Sequence, residues 1–331
     1  MKKLLKFHET YVFLAIVIFS LIITIINPSF LTLENLLDLL KSYAFLGILS
    51  VGVLFVLISG GIDISFTAVA TVAMYVTTVI MIKYGGNIVT DFVIASLIGI
   101  TLGLVNAVII YFFDIPAIIT TIATLNIYYG LLTVFSGGKW LIAMPTWFRE
   151  FVDIRLFTLT NAGGIRYGLS IISVIWLVIV VVAWFILRYT LLGRGLYAMG
   201  GSLASAKRAG FNIFFLQMFV YSFMGLMAGI AGMIQVLLVQ TAAPNSIVGK
   251  ELDVIAAVVL GGASLAGGTG TLLGTMLGVA LIAIMSNGLT LMRVPSFWYN
   301  VFIGLIIIIS VSASAYQNRR REKRTIMLEA G

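Results

Sequence analysis

Long apolar runs, broken by short polar stretches, dominate the chain from its first dozen residues almost to its end. A helix needs about 20 apolar residues to cross a hydrocarbon core. By that measure candidate spans fall near 11–26, 42–59, 64–82, 92–113, 116–136, 167–187, 213–239, 252–265, 272–292 and 297–315. The pattern predicts an all-α, polytopic membrane protein with about ten transmembrane helices. Between the first two spans, Leu33 to Lys41 places apolar residues at helical spacing with charges elsewhere. It reads as an interfacial amphipathic helix or as the start of the second span. The stretch 136–166 is the one sizeable loop on its side. Its Trp140, Pro145, Trp147, Phe148 and Phe151 suit a helix lying at the membrane interface, where aromatic rings settle.

Two spans are interrupted by glycine. In Ser59-Gly60-Gly61-Ile62-Asp63-Ile64-Ser65 a glycine pair ends one helix, and Asp63 and Ser65 open the next. Glycine takes the left-handed C-terminal conformation, and an aspartate accepts from the free N–H groups of a new helix. Direct solute contact and ion coupling are the other roles open to Asp63. The second interruption runs from Leu260 to Gly270 and includes Gly261, Gly262, Ser264, Gly267 and Gly268. So much glycine does not make a stable lipid-facing helix. Irregular backbone at membrane depth is tolerated where it is buried in protein or lines a wet cavity. Paired breaks in two halves of a chain point to a transport path. Close helix packing is an equally good account of the second run. The glycine pairs are alike, but the flanking spans align only weakly as a repeat.

The polar stretch from Leu192 to Phe211 is longer than a connector needs. A short helix over Leu203–Ala209, capped by Ser202 and stopped by Gly210, fits its sequence. Such a helix suits docking into a groove on a partner.

Composition narrows the function. Of the 331 residues, 61% are hydrophobic and 10% charged, and the mean hydropathy is +1.15. Soluble domains are about 25% charged. A soluble enzyme, a nucleic-acid-binding domain and a disordered chain are excluded. The net charge of +8 follows membrane sidedness. Basic residues gather at the N-terminus, at Arg188 to Arg208 and in the tail 316–331. Lys41, Lys83, Lys139, Arg149, Arg155, Arg166, Lys250 and Arg293 instead lie among acidic neighbours. Positive-inside bias places both termini and the 188–211 loop in the cytoplasm, with residues 1–331 forming a single transmembrane domain. There is no cysteine and one histidine, His8. Neither a thiol, metal or triad site nor a nucleophile–base pair can be assembled, so no catalytic residue is assigned. No Gly-Lys-Ser/Thr follows Gly267 to Gly270, so the chain has no phosphate-cradling loop for ATP. An ion-coupled secondary transporter is the alternative. It needs embedded carboxylates, and only Asp63 and Asp114 lie in or beside spans.

Several stretches carry a family resemblance: Ser59 to Ser65; Ile115-Pro116-Ala117 with Thr120, Thr121 and Leu125; Gly193 to Phe211; Leu260 to Gly270; Asn287-Gly288-Leu289; and Pro295 with Phe297-Trp298. Across nearly its whole length the chain resembles the permease subunits of ribose-type bacterial ABC importers. Phe66-Thr67 stand where that family usually has Val-Gly, and Ser202 where it has Asn. Ser136 to Trp140, with Pro145, is similar to permeases for autoinducer-2 and for rhamnose. The resemblance implies a multi-pass protein of the bacterial cytoplasmic membrane. It also implies three partners: a second permease chain, ATPase subunits that hold ATP and Mg, and an extracytoplasmic sugar-binding protein. Coupling to the ATPase would fall to Gly193, Arg194, Gly200, Gly201, Ala206 and Gly210. The translocation path would fall to the two interruptions.

Overall fold

The computed structural model describes residues 7–161, 163–295, 297–305 and 308. Its helices in chain order are α1 Phe7–Ile26, α2 Leu33–Ser42, α3 Ala44–Ile58, α4 Phe66–Tyr84, α5 Ile88–Phe113, α6 Ala117–Ser136, α7 Thr146–Phe151, α8 Ile171–Tyr189, α9 Leu191–Gly201, α10 Leu203–Arg208, α11 Ile213–Val239, α12 Glu251–Leu260 and α13 Leu272–Leu291. A further helical stretch begins at 297, and the rest of the expected last span lies outside the described residues.

Among the described residues seven helices, α1, α4, α5, α6, α8, α11 and α13, are long and apolar enough to cross a membrane, and the α2–α3 pair, bent by 51°, makes an eighth when taken as one span. The amphipathic segment is thus a helix of its own at the head of the second span. α12, with 10 residues, is about 15 Å long, half the hydrocarbon core.

Burial follows the apolar patterns. α3 is buried at every position, as a helix without a polar face must be when it runs through the centre of a bundle. Leu97, Val134, Phe135, Val181 and Phe185 on the outer helices point outward, where lipid replaces water as the solvent. The most extensive helix contact is the crossing of α5 on α11. A Cβ built on Gly225 would lie 2.0 Å from the Gly99 carbonyl oxygen, and one on Gly103 2.2 Å from that of Tyr221. The two backbones touch, the small-residue packing that membranes favour. α12 and α13 meet in the same way, Gly261 against Gly274 and Gly278 against Ala257.

The loop between α6 and α8 holds α7, the expected interfacial helix, and a hairpin that the apolar pattern does not announce. In it β1 (Leu159–Thr160) pairs antiparallel with β2 (Arg166–Tyr167), Leu159 opposite Tyr167. Leu141 and Ala242 exchange backbone hydrogen bonds at 2.9 Å, tying this loop to the one after α11.

Candidate functional site

The two interruptions end their helices with one and the same cap. After α3, the Gly61 N–H donates to the Val56 carbonyl at 3.1 Å and the Gly60 N–H to Leu57 at 3.0 Å. After α12, the Ala263 N–H donates to Val258 at 3.2 Å and the Gly262 N–H to Val259 at 2.9 Å. Gly60 has φ +87° and Gly262 φ +91°. These are paired Schellman motifs, with glycine at the left-handed position in each. The structure therefore matches the breaks residue for residue, although the flanking helices differ in length.

Beyond the first cap the chain runs extended into α4. Asp63, buried in this connection, accepts both the backbone N–H and the hydroxyl of Ser65, each at 2.7 Å. Asn106 of α5 donates to the Ser65 hydroxyl at 2.7 Å. Thr121 of α6 accepts the Ile64 N–H at 3.2 Å and donates to the Ile62 carbonyl at 3.3 Å. Asp63 thus closes an Asx-type turn that launches α4, pinned from two neighbouring helices. Asp114 is the C-cap of α5 and has left-handed backbone; aspartate tolerates that geometry better than most residues.

The segment from Leu192 to Phe211 is two helices rather than a loop with one. α10 begins as expected, the Ser202 hydroxyl accepting the Ser205 N–H at 3.2 Å, and ends at Gly210, φ +84°. α9 is helical despite Gly193, Gly195, Gly200 and Gly201. All of these but Gly201 are pressed against neighbours: a Cβ on Gly193 would lie 2.5 Å from the Leu187 carbonyl oxygen, and one on Gly195 2.9 Å from Leu216.

At the end of α9 three glycine motifs far apart in sequence meet. A Cβ on Gly200 would stand 1.9 Å from the Ile58 carbonyl oxygen and 2.7 Å from the Gly268 nitrogen. One on Gly267 would stand 2.7 Å from the Gly60 Cα and 2.8 Å from the Gly200 oxygen. The Gly268 N–H donates to the Ile58 carbonyl at 3.0 Å, and the Tyr197 hydroxyl to the Gly270 carbonyl at 2.8 Å. Gly60, Gly200, Gly267 and Gly268 thus form one backbone junction. The other predicted residues lie around it. Gly61 faces the Tyr221 hydroxyl, Gly261 packs on α13, and Gly201 and Gly210 have open space where a Cβ would point. Ser264 closes the second loop on itself, its N–H donating to Thr269 at 3.0 Å and its hydroxyl accepting from Ala266 at 3.1 Å. Ala206 is buried, and Arg194 is exposed.

The head of α12 holds residues that the sequence reading passed over. Thr67, in the first turn of α4, donates its hydroxyl to a Glu251 carboxylate oxygen, which also accepts the Gly249 N–H at 3.0 Å. The Lys250 ammonium lies 5.3 Å from the centre of the Phe45 ring. Lys250 and Glu251, counted in sequence with the connecting loops, and Asp253, inside the expected span 252–265, thus head a helix whose length of about 15 Å separates them from the second break. The signal was present at Thr67, one of the three residues, with Phe66 and Ser202, that depart from the resembled pattern.

Two apolar helices, α3 and the half-length α12, that end in matching glycine caps and meet at one point are discontinuous elements of the kind on which membrane transport folds build their paths. The chain belongs to the family described as the permease component of branched-chain amino acid transport systems, which matches residues 35–311. It is 33% identical over 312 residues to the ribose import permease protein RbsC of Haemophilus influenzae, covering 93% of this chain and 94% of that protein. To RbsC of Bacillus subtilis it is 33% identical over 299 residues, 90% of each chain. To the autoinducer 2 import system permease protein LsrC of Yersinia pseudotuberculosis it is 31% identical over 304 residues, 91% of this chain and 83% of that one. No solved structure matches it. These likenesses favour an importer permease over the ion-coupled alternative.

Proposed function

We propose that the chain is the membrane subunit of an ATP-driven importer for a sugar or a sugar-like small molecule. Two such chains form the translocation path in a bacterial cytoplasmic membrane. ATP and Mg are held by separate ATPase subunits beneath them, and an extracytoplasmic binding protein delivers the solute. Both termini and the α9–α10 hairpin face the cytoplasm, in keeping with the basic residues at 188–211 and in the tail. The observation that carries this reading is the backbone junction of Gly200 with Gly60, Gly267 and Gly268. It connects the largely exposed α10, through α9 packed beneath it, to both interrupted spans, which is the connection that an importer powered from outside the membrane requires. The sugar class rests on the relatives' substrates and on the resemblance of the glycine motifs.

The test is uptake of radiolabelled D-ribose by proteoliposomes holding the permease, its ATPase and its binding protein. Uptake should require ATP and persist when proton and sodium gradients are collapsed. Transport that stops with the gradients, at constant ATP, would overturn the proposal.

A further inference from the structure

The two Schellman caps and the junction at α9 imply more than a docking site. Each cap fixes the end of a half-span rigidly, because two backbone hydrogen bonds close it and a left-handed glycine sets its direction. The first cap touches α9 through Ile58 and Gly60, and the second loop touches α9 through Gly267 and Gly268. The breaks also touch each other directly, since the Gly268 N–H donates to the Ile58 carbonyl. No side chain intervenes at Gly200 to absorb a displacement by changing rotamer. A cavity of about 510 Å³, lined by Glu9, Arg188, Tyr197 and Thr271 among others, flanks the junction.

We propose that α9 is a single lever on both breaks. Gly200 is the contact that passes its displacement to the end of α3 and to the loop after α12 together, and the Tyr197 hydroxyl is the tether that keeps that loop in register. Gly200, Gly268 and Tyr197 are thus positioning residues for transport and contact no solute. The inference rests on the importer reading and sharpens it: the ATPase drives the two half-spans as one unit.

Gly200 and Gly201 are adjacent on the same helix, yet a Cβ fits at Gly201 with nothing within 4 Å and collides with Ile58 and Gly268 at Gly200. Gly200→Ala and Gly201→Ala therefore separate the lever from the helix that carries it. The chain has no cysteine, so Leu265→Cys, exposed in the second loop, reports that loop's movement without needing the solute. In the assembled transporter, its reaction rate with a charged thiol reagent should change at least threefold between the nucleotide-free and vanadate-trapped states. Gly201→Ala should keep that change. Gly200→Ala should abolish it and lower D-ribose uptake per ATP hydrolysed at least tenfold, with ATPase activity within twofold of the parent. Tyr197→Phe, which removes one hydroxyl and no packing, should lower the coupling ratio three- to tenfold and serves if Gly200→Ala does not assemble. A parental coupling ratio in Tyr197→Phe, a parental labelling change in Gly200→Ala, or equal losses at Gly200 and Gly201, would overturn the lever. ATP-independent uptake by the parent would instead sink the importer reading.

Discussion

Gly225→Ala tests whether the α5–α11 crossing is the frame on which the moving parts are mounted. A Cβ there would stand 2.0 Å from the Gly99 carbonyl oxygen and 2.7 Å from its carbon. Carbon–oxygen contacts between packed backbones settle near ~3.3 Å. The helices must therefore part by about 1.3 Å. The neighbouring contacts of Gly103 with Tyr221 and of Gly229 with Ala95 open with them. A gap of 0.5–1 Å already forfeits roughly a quarter to a half of each dispersion contact, and overpacking a filled interior costs about 1–3 kcal/mol. Because the collision is with backbone, which has no rotamer to move, the upper end of that range is expected, about 3 kcal/mol. Gly130 on α6 supplies the comparison: it has nothing within 4 Å of a built Cβ, so alanine there gains helix propensity of roughly 0.8–1 kcal/mol. In detergent, thermal unfolding followed by intrinsic fluorescence should fall by several degrees for Gly225→Ala and hold or rise for Gly130→Ala. Equal melting of the two variants would refute the reasoning.

Asp63→Asn keeps a side-chain oxygen that can accept the Ser65 N–H and hydroxyl, so it should keep most uptake. Asp63→Ala leaves both donors without that acceptor and should lose folding or insertion, and parental melting and uptake in Asp63→Ala would remove the carboxyl from the account. Thr67→Val should lower D-ribose uptake severalfold by leaving the Glu251 carboxylate with one fewer donor, whereas uptake at the parental level would make that hydrogen bond incidental. Reporter fusions at Ser202 and Arg149 should report cytoplasm and exterior respectively, and the reverse assignment at Arg149 would overturn the span order. The purified chain alone should hydrolyse no ATP, a result checked by phosphate release after residual ATPase subunits are removed.

Most of the bundle was legible because membrane burial demands uninterrupted apolar length, and that is written directly into the sequence. α11 at Ile213–Val239 and α6 at Ala117–Ser136 follow their apolar runs to within a residue. α5 starts four residues earlier than its run implies, at Ile88. The Asn87 and Thr90 side chains close a capping box there, and Asp91, which looks like loop in sequence, is buried in the first turn. α9 was not legible. Local propensity counts Gly193, Gly195, Gly200 and Gly201 as breakers, and propensity yields here to tertiary packing that only a missing Cβ permits. At the head of α12, which starts one residue before its expected span, Lys250 and Glu251 look like loop for the opposite reason, because charge is normally evidence of a loop.

The convergence of the glycines could not be found by reading along the chain, yet each motif was visible by itself. Gly60, Gly200 and Gly267 look alike in sequence but serve different physical ends. At Gly60 and Gly267 the backbone is left-handed, with φ +87° and +88°, so a side chain is strained there whatever the surrounding space. Gly200 lies in an ordinary helix, and its constraint is entirely the 1.9 Å approach of the Ile58 oxygen. A substitution at Gly60 therefore perturbs the cap, and one at Gly267 the turn closed on Ser264, as well as the contact, whereas one at Gly200 perturbs the contact and leaves both caps able to form. Alanine costs little in a helix relative to glycine and even favours it, so any defect in Gly200→Ala must come from the junction itself.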